Sequence, residues 1–210
     1  MKRWSMAGPT IMFAFLIMQS MQYLGCASLA GKAGTFKFRK GVRATEYYPL
    51  EKGWAWSYDV KVFSPDKGEQ SVLSTTRVVE ASENNRVLKV GRQTYTYILD
   101  NKGILKKEAG YHLLREPIVK GASWKIDVNG VKGEVTITDV HAELTTPAGT
   151  FTECVVTEEK VPELNSLVRT VFAPGVGIAK VEEFGLVQGK AVVLRTALLR
   201  AYTNPQRENI

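Results

Sequence analysis

Acid-base chemistry at neutral pH needs a side chain that can take or give a proton, and this chain of 210 residues holds two histidines, His112 in GYHLLRE and His141 in DVHAELT. A hydrolytic site would join one of them to a nucleophile and an orienting carboxylate. Neither lies in an H-x-x-x-H spacing or at zinc-finger distance from a cysteine, so both are expected on a strand surface or in a turn. Carboxylates occur as neighbours, Glu158-Glu159 and Glu182-Glu183, within β-like runs. Adjacent strand residues point to opposite faces, so neither pair can share one site, and solvated charge is the expectation. Neither a phosphate-cradling G-x-x-x-x-G-K-[ST] nor a G-x-S-x-G elbow occurs. The chain is therefore expected not to be an enzyme and to need no metal or cofactor, with a hydrolase as the alternative.

Two further chemistries remain. Cys154 sits in the middle of FTECVVT, where a small apolar residue packs well, and a buried inert thiol is preferred over a reactive one. The aromatics Trp54, Trp56, Tyr58, Tyr95, Tyr97 and Trp124 could line a pocket for an apolar ligand or a sugar. Such a stripe on strands more often forms core, and that is the leading expectation.

The elements that must position these residues follow from a repeat. PLEKGWAWSYDV, Pro49 to Val60, returns as PIVKGASWKIDV, Pro117 to Val128, with Pro49/Pro117, Lys52/Lys120, Gly53/Gly121, Trp56/Trp124, Asp59/Asp127 and Val60/Val128 matched. In both copies the residues after the glycine alternate at period 2, so each predicts a half-buried strand entered through a Pro-to-Gly turn. Trp54, Trp56, Tyr58, Val60 and Val62 share one face, and Ala122, Trp124, Ile126 and Val128 the equivalent one. The rest is a succession of short β-branched and aromatic runs between turn signals: SPDKGE, ENN, DNKG, Asn129-Gly130, TPAGTF, APGVG and Gln188-Gly189. The final run AVVLRTALLRAY fits a strand by alternation and a helix by its Ala and Leu content, and strand is chosen. No helix is expected after the N-terminal segment. The predicted fold is all-β, an antiparallel β-sandwich or partly closed barrel of about ten to twelve strands built from two similar halves.

Residues 1–25 have the plan of an export signal: Lys2 and Arg3, the apolar run Ile11 to Met18, then Gly25. Leu24-Gly25-Cys26 resembles the lipobox of bacterial lipoproteins, which implies that Cys26 is lipidated and becomes the mature N-terminus. Tyr23 stands where an aliphatic residue is usual. The alternatives are ordinary secretory cleavage with an incidental cysteine and an uncleaved anchor, against which Pro9, Gln19, Ser20 and Gln22 interrupt a short stretch. Net charge is +7, and losing residues 1–25 removes Lys2 and Arg3 but no acid, leaving 26 basic against 21 acidic residues. Five of the basic residues, Lys32, Lys37, Arg39, Lys40 and Arg43, fall between Ala27 and Thr45, where there is no acid. That segment is a tether suited to an anionic lipid surface, or, at Thr35 to Arg39, a first strand. With no basic recognition helix, no nucleic-acid partner is expected. The expected division is a signal over 1–25, a basic tether over 26–45, one β-rich domain over 46–203 and a polar tail over 204–210.

YYPLEKGWAWSYDV, PIVKGASWKIDV, TPAGTFTECVV and FAPGVGIAKVE, in that order, resemble the motifs of a broad group of β-rich bacterial envelope lipoproteins. The resemblance spans Tyr47 to Phe184. It implies an envelope β fold, with no catalytic residues to carry over and the Gly, Pro and Trp of the motifs acting as folding determinants. The lipoprotein-carrier half-barrels are a more distant comparison. Together these readings predict a lipid-anchored, periplasm-facing, outer-membrane protein acting as a non-catalytic binding or assembly module, anchored through Cys26 and the tether and joined to an envelope protein partner. The alternatives are a carrier of a lipid or other apolar ligand and a secreted or periplasmic location.

Overall fold

A computed structural model describes residues 43–64, 68–187 and 190–205. Residues 1–42, with the export signal, Cys26 and the alternating stretch Thr35 to Arg39, lie outside the described residues, as do the turns SPDKGE, in part, and Gln188-Gly189. The described residues form twelve strands: β1 (Ala55–Ser64), β2 (Gly68–Ser82), β3 (Asn85–Val90), β4 (Gln93–Asp100), β5 (Gly103–Lys106), β6 (Tyr111–Arg115), β7 (Ser123–Val128), β8 (Val131–Thr146), β9 (Gly149–Val161), β10 (Ser166–Ala173), β11 (Gly177–Val187) and β12 (Lys190–Thr203).

All pairings are antiparallel in one sheet ordered β6-β5-β4-β3-β2-β1-β12-β11-β10-β9-β8-β7, which curls into a nearly closed barrel. Each half of the chain is a six-stranded meander. A ladder from Ala55↔Thr203 to Val62↔Arg195 joins the halves through β1 and β12. The other junction, β6 against β7, has no ladder, and there the Trp124 indole N–H donates to the His112 carbonyl across 2.7 Å.

The repeat is carried down to single hydrogen bonds. In the first copy the Gly53 N–H donates to the Val78 carbonyl at 3.2 Å and the Val78 N–H returns to the Trp54 carbonyl at 2.9 Å. In the second, Gly121 donates to Ile137 and Ile137 to Ala122, both at 2.8 Å. Gly53 and Gly121 have φ of 95° and 88°, a conformation that glycine adopts freely. Asn129 and Gly130 both have positive φ, as the two-residue hairpin joining β7 to β8 requires. The ambiguous last run is strand β12, because pairing on both edges and a buried Ala197 and Leu199 outweigh its helical composition.

One expectation is corrected: a single helical turn, α1 (Ala44–Tyr47), begins inside the expected tether. Tertiary bonds hold it, the Ala44 N–H donating to the Glu116 carboxylate at 3.0 Å and the Gly175 N–H to the Glu46 carbonyl at 2.7 Å. A second short turn, the 3-10 segment Pro162–Leu164, joins β9 to β10. With Tyr47, Tyr48 and Leu50, all buried, α1 closes the barrel end at which the β4–β5, β6–β7, β8–β9 and β10–β11 connections lie.

Candidate functional site

The sequence-predicted aromatics divide. Trp56 is fully buried and donates its indole N–H to the Val176 carbonyl at 2.6 Å, while Tyr58 donates to the Ile178 carbonyl at 3.0 Å. Trp54 precedes β1 yet is buried, stacked between Trp56 at 5.7 Å and Tyr202 at 6.2 Å. Tyr48 from the α1 segment packs on Trp56 at 5.3 Å and on Tyr97 at 6.3 Å. Trp124 is buried at the β6–β7 junction. These rings fill the α1 end of the barrel as core. Tyr95 and Tyr97, on the core-facing side of β4, are only half-buried, and Tyr95 donates to Gln93 at 2.8 Å.

The histidines are apart from each other and tied to carboxylates. His112 Nε2 lies 2.9 Å from Asp100, and the exposed His141 Nδ1 lies 2.6 Å from Glu153. Burial works to raise the Asp100 pKa, but the backbone N–H of Lys102, His112 and the backbone N–H of Gly103 outweigh it and hold the carboxyl below its ordinary value. Cys154 is buried, and loss of hydration, aided by the negative charge of Glu153 and Glu143, pushes its thiol up to about 12. An inert packing role follows. Among the described residues no cluster of His, Cys, Asp or Glu could hold a metal ion.

The carboxylate pairs do split across faces, but one expectation fails. Glu158 faces outward, bonded to Arg169 at 2.9 Å and 3.1 Å from Lys160. Glu159 is not solvated: it is 8% exposed and faces inward, accepting from the Tyr111 hydroxyl at 3.0 Å. Tyr111 in turn accepts from the Lys106 ammonium at 2.9 Å, and Lys106 lies 3.8 Å from Glu159. Burial disfavours the Lys106 charge, yet the Tyr111 oxygen and the Glu159 carboxylate outweigh it and raise its pKa above the ordinary value. Glu183 also faces inward, 3.4 Å from Arg195. Alternation told which neighbours would separate, but not which member would enter the barrel.

Four hydroxyl residues share this inward face. Register sets Ser74 opposite Tyr58, Thr76 opposite Trp56, and Thr157 opposite Thr170. They are 8%, 6%, 3% and 5% exposed. The inner wall is therefore mixed: Thr76 and Ser74 lie beside the rings of Trp56 and Tyr58, and Thr157, Thr170 and the Lys106–Tyr111–Glu159 group are set among buried aliphatic side chains such as Ile137, Val155 and Val168. Outside, at the α1 end, a separate cleft of about 400 Å³ is bordered by Arg43, Glu83, Asp100 and Glu116.

No family model matches the chain, and no curated protein does. Among solved structures it is similar to a candidate exported protein with a YmcC-like fold from Bacteroides fragilis NCTC 9343, at 13% identity and a TM-score of 0.44 over 75% of this chain and 98% of that one. It is also similar to a candidate lipoprotein from Parabacteroides distasonis ATCC 8503, at 16% identity and a TM-score of 0.41 over the same shares.

Proposed function

We propose that the chain is a lipid-anchored envelope protein, facing the periplasm from the outer membrane and serving as a non-catalytic binding or assembly module. The observation that carries this is the way the chain enters its barrel. The segment that follows the lipobox and basic tether is hydrogen-bonded into one end through Ala44 and Glu46, which leaves the opposite rim and the strand faces to meet a partner. Both histidines are engaged by surface carboxylates, and the thiol is buried, which supports the non-catalytic reading. The apolar-carrier alternative is weaker, since the tryptophans that would line its cavity are close-packed core.

Mass spectrometry of the native protein tests the anchor. Diacylglycerol or acyl mass on Cys26, with residues 1–25 gone, is the expected result, and an unmodified Cys26 thiol or an intact Met1 would sink it. Site-specific photo-crosslinking in cells, from the exposed Leu73 or Phe63 near the rim opposite α1, tests the module. A discrete adduct with an envelope protein is expected, and adducts with the lipids alone would count against assembly.

A further inference from the structure

Strand β2 runs from Gly68 to Ser82, but β3 pairs only with Thr76 to Ser82. From Gly68 to Thr75 its outer edge therefore meets no strand among the described residues. Val78 directs its N–H and C=O at the segment leading into β1, and the backbone groups of successive residues turn to opposite sides. Glu69, Ser71, Leu73 and Thr75 thus hold their donors and acceptors toward the open slot beyond the end of β3. This edge lacks the devices that usually keep sheet edges apart. It has neither proline nor lysine, its pairing with β1 runs without a bulge, and its one charge is Glu69. Val72 and Leu73, on opposite faces, are 50% and 58% exposed. Charge is nonetheless graded along the slot. Arg77, Lys89 and Arg92 are exposed at the end where β3 stops, and Glu69, which also meets Lys61 at 2.9 Å, stands at the other.

We propose that this edge pairs with the same edge of a second copy of the chain, β2 against β2, antiparallel about a two-fold axis. The charge gradient selects that occupant. A two-fold axis turns Glu69 of each copy toward the Arg77 and Arg92 end of the other, whereas parallel pairing would set Glu69 beside Glu69. The position of β3 sets the register. It begins opposite Thr76, so the second copy must bring its Gly68 to a stop before that point. An axis through Ser71 meets this condition: Ser71 faces Ser71, Leu73 faces Glu69, and Gly68 ends opposite Ser74. The free groups of Glu69, Ser71 and Leu73 then bond in reciprocal pairs, Leu73 packs on the Glu69 stem, and Val72 lies opposite Gln70. Because the contact uses the same edge on both copies, it closes at a dimer and leaves no strand to seed a fibre. The α1 ends lie at opposite flanks of the dimer, at equal height when the axis stands along a membrane normal. This pairing goes beyond the module reading and leaves the exposed Phe63 on β1 uncovered for another partner.

The test uses the full chain in mild detergent. Residues that face each other as a hydrogen-bonded antiparallel pair have Cα atoms ~5.5 Å apart, inside the disulfide range. Mild oxidation of Ser71→Cys should therefore give a disulfide-linked dimer. Thr75→Cys, equally exposed but set ~26 Å from its mate by the same axis, should give none, nor should the native chain, whose Cys154 is buried. Light scattering of the native protein should report twice the chain mass. Glu69→Arg should weaken the dimer by about tenfold, and adding Arg77→Glu to it should restore the native affinity. All these positions are exposed, and unchanged thermal melting would show that each variant folds. A monomeric mass at every concentration, or linkage at Thr75→Cys as ready as at Ser71→Cys, would overturn the pairing. A cross-linker at Leu73 that captures another protein and never a second copy would overturn it while upholding the module. Second-copy adducts from Leu73, with no protein adduct from Phe63, would uphold the pairing and count against a further partner.

Discussion

At the scale of single residues, Trp56 and Trp124 hold corresponding places in the repeat but unequal surroundings. Trp56 is bonded to Val176 inside a cluster of rings, while Trp124 bonds across the one junction that lacks a ladder. Truncating either to alanine is expected to remove ~3–5 kcal/mol, a large part of the ~5–15 kcal/mol that holds a domain. Thermal denaturation checks this, and near-native melting of both variants would mean the rings are not core. Cys154 should resist a thiol reagent in the folded protein and react once denaturant exposes it. Reaction at the native rate of a free thiol would contradict its burial. Asp100 has its pKa lowered by backbone N–H groups and His112, so its contribution to stability is full above the unfolded value near ~3.9 and is lost as pH falls through the lower folded value. Asp100→Asn should therefore melt below the native protein at neutral pH, with the difference shrinking on acidification. A gap that stayed constant down to strong acid would refute that linkage.

At the scale of elements, the turns are where the chain is least tolerant. A Cβ at Gly177, where φ is 118°, would stand 2.9 Å from the Tyr48 ring and 3.0 Å from the Trp56 indole nitrogen, whereas one at Gly121 would meet nothing within 4 Å. Gly121→Ala should cost about 1 kcal/mol through its backbone alone, and Gly177→Ala distinctly more. Equal melting temperatures would show that the APGVG turn yields instead of clashing. These turns and the paired entry strands were legible because Pro, Gly and Trp recur at fixed offsets. The helix α1 was not, since four residues cannot show a helical period and its bonds go to Glu116 and Gly175, far along the chain. The inward carboxylate was equally hidden. Alternation separates Glu158 from Glu159, but only the partnership of Glu159 with Tyr111, contributed by β6, shows which one is enclosed.

For the whole molecule, all-β architecture, strand number and two similar halves could be anticipated, while the choice between sandwich and barrel depended on β1 finding β12 across the length of the chain. The asymmetry of the two junctions is measurable by hydrogen exchange. Amides on the outer edges of β6 and β7 should exchange faster than those that β1 and β12 direct at each other, because only the latter have backbone acceptors. Equal protection at both would mean that the barrel closes fully in solution.

That same ladder also governs when the protein can become itself. Ala55 pairs with Thr203, so the first strand of the fold waits for the last, and everything between must be made and delivered before the two edges meet. Each six-stranded meander can form from neighbours in sequence, but the union of the halves has a large loop-closure entropy and should be the slow step. Until then β1 presents a bare, aromatic-rich edge of the kind that aggregates or attracts chaperones. Loss of residues 190–203 would thus leave not a slightly shortened barrel but two sheets with no ladder between them.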